Sequence, residues 1–211
     1  MGERALPDVI YEDVRARIVS GAMEPGQPVR QDTLAAELGV SKIPLREALA
    51  RLERDGLVVS HRNRGFEVRG LSAEEAEEVF DLRLKIEPAA AALASRRASP
   101  EDRASAGRAL DALDEALQAG GPDVSDRNRD FHLALVRPSG RELTTQLVER
   151  LHTLAERYVQ AHLEPQGRTA RARAEHHDLF DAWSAGRPHS VETLVRSHIS
   201  GALEDLRRQL R

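Results

Sequence analysis

Residues 41–69, SKIPLREALARLERDGLVVSHRNRGFEVR, constrain the fold more than any other stretch. Leu45, Ala48, Leu49 and Leu52 recur at helical spacing, so one face of a short helix is apolar. Ser41 precedes the run as an N-cap, and Pro44 falls in the first turn, where a missing N–H costs least. Lys42 and Arg46 lie one turn apart on the opposite face, and Gly56 ends the helix. Leu57–Val59 then reads as a strand, Arg62-Asn63-Arg64-Gly65 as a turn, and Phe66–Val68 as the returning strand. A helix with a cationic outer face beside a hairpin with a cationic tip can dock on DNA. The helix would enter the major groove, and the tip would reach backbone or minor groove.

The two flanking segments complete that unit. Val9, Ile10, Val14 and Ile18 repeat at helical spacing within 8–20, and Glu24-Pro25-Gly26 closes the segment in a loop. Residues 31–38 form a second short helix with Leu34, Ala35 and Leu38 inward, stopped by Gly39. Two short helices joined at a glycine, the second one cationic, are a helix-turn-helix, and the hairpin adds a wing.

Charge supports a small footprint rather than a protein that coats nucleic acid. The net charge is −4, yet residues 41–69 carry seven Lys and Arg against four Asp and Glu. So small a basic patch needs a second copy for affinity, hence a homodimer. The absence of cysteine excludes disulfides and thiolate metal sites and fits the cytoplasm. No apolar run is long enough to span a membrane, and the acidic N-terminus has no signal-peptide core. Aromatic content of 3% leaves Leu, Val and Ala to build the core, which favours packed helices.

After a linker at 70–72 every segment reads as helix: 73–94 with a kink at Pro88, 99–119, 123–136, 142–163, 169–185 and 189–210. The breaks are Gly120-Gly121-Pro122, Pro138-Ser139-Gly140, Pro165-Gln166-Gly167 and Gly186-Arg187-Pro188. In the first of these helices Val79, Leu82, Ile86 and Ala90 are expected inward. The fold class is mainly α: a winged helix-turn-helix at 1–70, then an all-α six-helix bundle at 71–211.

Seven of the eight histidines follow the linker. Asn128 and His132 are one helical turn apart and project from one face. His176 and His198 lie on the last two helices. If the three helices surround the interior, an amide oxygen and three imidazoles meet, a donor set suited to zinc, nickel or manganese. A single helical histidine is otherwise an ordinary core or surface residue.

The motif Pro25-Gly26, Leu34-Ala35, Leu38-Gly39-Val40-Ser41, Pro44-Leu45-Arg46-Glu47-Ala48-Leu49, Arg51-Leu52, Asp55-Gly56-Leu57 and Arg64-Gly65 resembles the N-terminal domain of GntR-family bacterial transcription regulators. The resemblance implies DNA contact by Ser41, Lys42, Pro44, Arg46, Arg51, Arg62, Asn63, Arg64 and Gly65. Arg51 and Arg54, farther along the helix, are also read as surface ion pairs with Glu47 and Asp55. Lys42 stands where the family usually has Arg, and Ile43 where it usually has Thr. Lysine keeps the charge and loses the bidentate fork.

The pattern Asn128-Arg129-Asp130-Phe131-His132, Pro138-Ser139-Gly140, Glu175-His176 and Ser197-His198-Ile199 resembles the FCD ligand-binding domain of the FadR subfamily, in its shorter VanR-like six-helix form. That resemblance implies a divalent metal, zinc first, at Asn128, His132, His176 and His198. Asn replaces the commoner Asp, which leaves the site one negative charge short. His177 is the alternative to His176, and His152, His162 and His189 are expected at the surface. Phe80-Asp81-Leu82-Arg83-Leu84-Lys85-Ile86-Glu87-Pro88 implies that Arg83 enters the same cavity as an effector-binding residue. The competing reading is an Arg83–Glu87 ion pair one turn apart.

The whole reads as a homodimeric, ligand-responsive DNA-binding regulator rather than an enzyme. It would be a repressor of an inverted-repeat operator in double-stranded DNA, controlled by a small organic acid. Two alternatives stay open: a helical domain that only dimerises, and a metal-dependent hydrolase.

Overall fold

The computed structural model describes residues 5–62, 64–120, 123–162 and 168–209. Its contacts divide the chain into two compact units, Met1–Ser72 with Glu156–Ala161, and Ala73–Ala155 with His162–Arg211.

In the first unit α1 (Leu6–Val19), α2 (Gln31–Glu37) and α3 (Lys42–Arg54) enclose an aliphatic core. Ile10, Val14 and Ile18 of α1 meet the buried Leu45, Ala48, Leu49 and Leu52 of α3, with Leu34 and Ala35 of α2 beside them. The spacing that predicted the inner face of α3 is therefore the spacing that is buried. Strands β1 (Pro28–Val29), β2 (Val58–His61) and β3 (Gly65–Val68) form an antiparallel sheet in the order β1-β3-β2. β1 carries no alternation and was not expected. It is two residues that complete the free edge of β3, pairing Val29 with Phe66. Ser41 takes the extended N-cap conformation, but its side chain makes no capping bond. Its hydroxyl is thus not spent on the helix end.

The second unit contains α4 (Ala73–Arg97), α5 (Pro100–Ala119), α6 (Val124–Val136), most of α7 (Glu142–His162), α8 (Arg168–Ser184) and α9 (Pro188–Gln209), while Glu156–Ala161 of α7 group with the first unit. A 3-10 turn, Arg137–Ser139, follows α6 and ends at Gly140 in the left-handed region. α5 begins with a capping box: Asp102 N–H donates to Ser99 Oγ, and Ser99 N–H donates to Asp102 Oδ2. Along α9, Val191, Val195, Ile199, Leu203 and Leu206 form one buried stripe that packs mainly on α4. Trp183 of α8 is fully buried and donates its indole N–H to the Leu135 carbonyl of α6 at 3.0 Å. The break expected at 165–167 lies outside the described residues, as do Gly121 and Pro122. Among the described residues no helix is long and apolar enough to cross a membrane.

The inward face of α4 is only in part the one its aliphatic residues suggest. Val79 and Ala90 are buried as expected, but Leu82 is exposed and Ile86 half-buried, while Ala76, Phe80, Arg83, Glu87 and Ala94 also point inward. The helix buries a polar pair and turns a leucine outward. Pro88 lies inside α4 without ending it.

Gly65 shows what the wing requires. Its φ is +82°, and a Cβ there would stand 3.1 Å from Gln31 Nε2. Gly65→Ala should therefore destabilise the first unit by about 1–2 kcal/mol, the usual penalty for a left-handed alanine. Urea unfolding of the two proteins, followed by circular dichroism, checks this.

Candidate functional site

Two surfaces answer to the expected chemistry. The first is the outer face of α3 with the tip of the β2–β3 hairpin. Ser41, Lys42, Ile43 and Arg46 are exposed at the N-terminal end of α3, and Pro44 is half-buried. Arg46, Arg62 and Arg64 are exposed and form no ion pair among the described residues. Asn63 lies outside the described residues.

Two of the expected cations are already engaged. Lys42 pairs with Asp32 at the start of α2, both of them exposed. Arg51 pairs with Asp8 of α1, and its guanidinium lies 4.6 Å from the centre of the Tyr11 ring. The expected partners of Arg51, Glu47 and Asp55, are not the ones used. Asp55 instead accepts a 2.7 Å hydrogen bond from the Tyr11 hydroxyl; burial first, and then this bond, hold that phenol well above its ordinary pKa. Arg51 therefore helps join α3 to α1, and its expected DNA contact has to compete with that role.

The second surface is interior. His132 of α6, His176 of α8 and His198 of α9 converge, each offering one ring nitrogen within 4.8 Å of the others. Ring centres lie 5.2 Å apart for His132–His176 and His132–His198, and 4.8 Å for His176–His198. Phe131 sets its edge against both His132 and His176. His176 is 3% exposed, whereas His177 faces outward and pairs with Asp114 at 2.8 Å. The alternative ligand is thus turned away. Asn128 is half-buried one turn before His132; the convergence just described is that of the imidazoles.

These residues fit a divalent ion. His132 Nε2 is buried without a hydrogen-bond partner, which is costly for an imidazole nitrogen unless something else engages it. Burial, reinforced by His152, His198, His176 and Arg83, holds the His132 pKa well below its ordinary value. The ring is therefore neutral at pH 7, as a metal ligand must be. Glu175 Oε2 lies 2.6 Å from His198 Nδ1, the carboxylate–histidine arrangement that orients a ligating ring and would leave Nε2 available to a metal. His132, His176 and His198 would be the nitrogen donors to such an ion.

One expectation here is overturned. His152, expected at the surface, is 1% exposed on α7, with its ring centre 4.8 Å from that of His132. Its Nε2 lies 3.1 Å from Glu87 Oε2 and 3.2 Å from Arg83 Nη2. Arg83 in turn holds Glu87 through Nε at 2.6 Å and Nη2 at 3.3 Å. Both readings of Arg83 therefore describe part of the geometry: the ion pair is formed, and it is formed beside the histidines. Glu87, His132 and His152 also bring ligand atoms within 4.8 Å of one another. The Arg83 guanidinium already balances that carboxylate, which favours the three-histidine set for a cation. Burial would raise the Glu87 pKa, but Arg83 and His152 outweigh it and hold it at about 2. His189 is exposed as expected, and the side chain of His162 is outside the described ones. The sequence signal for His152 was its place one turn after Val148 on α7, a heptad-like line that only the fold identifies as inward.

Comparison with known proteins follows the same division. Residues 6–68 match the family described as bacterial regulatory proteins, gntR family, and residues 78–201 match the FCD domain. An uncharacterised HTH-type transcriptional regulator of Bacillus subtilis, YdhC, is 26% identical over 95% of this chain and 90% of its own length. The HTH-type transcriptional repressor GlaR of Escherichia coli is 30% identical over 70% of each chain. The solved structure of E. coli McbR/YncC superposes with a TM-score of 0.85 over 99% of this chain and all of that one, at 23% identity.

The buried imidazoles set a pH dependence. His132 and His152 have folded-state pKa values below the ordinary 6.5, so the unfolded chain binds protons that the folded one refuses. Stability is then complete above about pH 6.5 and falls below it, by up to about 1.4 kcal/mol per pH unit for each group. Glu87 adds a second loss below its ordinary 4.5, extending toward 2. Metal-free protein in urea titrations at pH 7.5, 6.5 and 5.5 should lose stability between the last two and little between the first two.

Proposed function

The chain belongs to the gntR family of bacterial regulatory proteins and carries an FCD domain, and from that premise we propose that it is a metal-dependent sensor of a small organic acid. It is a DNA-binding transcriptional regulator. Relatives of this kind are named as regulators rather than enzymes, which removes the hydrolase reading.

In this reading residues 1–70 are the DNA head and residues 71–211 the sensing and dimerising domain. The protein works in the cytoplasm as a homodimer, with two heads on an inverted repeat. The repressor name of the E. coli relative supports repression as the sign of control. Arg46 and Lys42 read base edges, and Arg62 and Arg64 hold phosphate, with Ser41, Pro44, Asn63 and Gly65 in support.

The observation that carries the sensing function is the orphaned Nε2 of His132, buried between two further imidazoles. His132, His176 and His198 would hold zinc, or nickel or manganese, with the Asn128 amide oxygen as the fourth donor. A divalent ion there supplies a Lewis-acid position for a carboxylate oxygen. Glu175 orients His198, and Phe131 fixes the planes of the other two rings. Arg83, held by Glu87 and His152, borders the same space and gives the acid's second oxygen a donor at the cost of loosening its present bonds. An acid that binds the two operator-affinity states unequally shifts the protein between them.

Chelator-stripped protein should melt higher when zinc is added, by mass action worth about 2.7 kcal/mol at a hundred times Kd. His132→Ala and His198→Ala should fold and show no such rise, and Glu175→Gln should need about 10–100 times more zinc. Wild-type protein indifferent to zinc, nickel and manganese would leave a domain that only dimerises. A panel of small carboxylic acids on the metal-loaded protein then identifies the effector by a further rise that accompanies loss of operator binding.

The Asp32–Lys42 pair makes a separate prediction for the head. Asp32→Asn should strengthen operator binding a fewfold and steepen its salt dependence by about one counterion, because Lys42 is released to phosphate or base. Kd measured by fluorescence anisotropy at three salt concentrations gives both numbers.

A further inference from the structure

Among the large apolar side chains of the described residues that reach the surface, Ile43 is the most exposed, at 73%. Single exposed aliphatics are ordinary on soluble proteins and mean nothing by themselves. The setting of this one is different. It is the second residue of α3, immediately after Lys42 and one turn before the exposed Arg46. The buried face of α3 is Leu45, Ala48, Leu49 and Leu52, so Ile43 belongs to the opposite face, the one a DNA-reading helix presents. The first turn of such a helix is the part that comes closest to the base edges.

The floor of the major groove is almost entirely polar. Guanine offers N7 and O6, adenine N7 and an amine, cytosine an amine, and thymine O4 with the C5 methyl. An isoleucine pressed against any of the first three strips water from a donor or acceptor and returns no hydrogen bond. Against thymine it meets the one apolar group in the groove. We infer that Ile43 is a specificity-determining residue that selects a thymine through its C5 methyl in each operator half-site. The inference rests on the reading of α3 as the recognition helix. It assigns to Ile43 a positive role in base choice, beyond the loss of a hydroxyl that its place in the family pattern implies.

The test separates the methyl from every other feature of the base. Half-sites are first selected from a random duplex library by the full-length protein. Each dT is then replaced singly by dU, which keeps all hydrogen-bonding groups and lacks only the methyl. One replacement per half-site should weaken wild-type binding about threefold to fivefold, the factor carried by burying a single methyl group. Ile43→Ala, whose melting temperature should equal the wild type because the side chain is exposed, should bind more weakly and be indifferent to that same replacement. Replacements that leave wild-type affinity unchanged at all positions overturn the inference, as does an equal loss in wild type and Ile43→Ala. A selected half-site without thymine overturns it too. Selection of no sequence at all would instead remove the recognition-helix reading from beneath it.

Discussion

A carboxylate taken out of water must be given charge or hydrogen bonds in return, and Glu87 is 2% exposed in the middle of a helical domain. Much of the second unit follows from that requirement. Arg83, one turn earlier on α4, supplies the charge, and His152 of α7 supplies a further contact to the same carboxylate. To keep this pair inside, α4 turns Leu82 to solvent. The ring of His152 then lies against that of His132, which carries the polar interior across to α6, and from there to α8 and α9. The histidine cluster is the continuation of a buried ion pair rather than an isolated pocket.

The DNA head is built under the opposite constraint. Its core is built mainly from aliphatic side chains, from Ile10 and Val14 through Leu49 to Val68, with Arg15 of α1 the buried exception, and most of its other charges lie at the surface. Asp8 takes Arg51, and Asp32 takes Lys42. Arg30, Arg46, Arg54, Arg62 and Arg64 are exposed and form no ion pair among the described residues. Sequence-independent attraction to phosphate draws on such cations, and discrimination on contacts with base edges.

Periodicity made the helices and the inner face of α3 readable, because an apolar stripe has one way to be buried. The Ser99-Pro100 start of α5 and the glycine stops were equally local, each decided within a few residues. The three candidate histidines came from residue spacing and family pattern together, and the structure brings their rings together. What was not readable had a common physical origin. The inward face of α4 depends on Glu87 finding His152, sixty-five residues away. The two residues of β1 depend on an open edge of β3. Arg51 was expected to pair within its own helix, and its partner Asp8 comes from another. Each is decided by a partner distant in sequence, and no window along the chain contains both members.

Trp183 gives the interior a property of practical use. It is the only tryptophan in the chain, buried two turns beyond His176 on α8. Its indole hydrogen bond ends on Leu135, three residues beyond His132 on α6. The chromophore thus bridges two of the helices that hold the cluster, and the carbonyl it bonds belongs to one of them. Any occupant that shifts α6 against α8 alters the polarity and geometry around a single emitter. The domain carries its own optical gauge, and its emission can be followed without a label and without DNA.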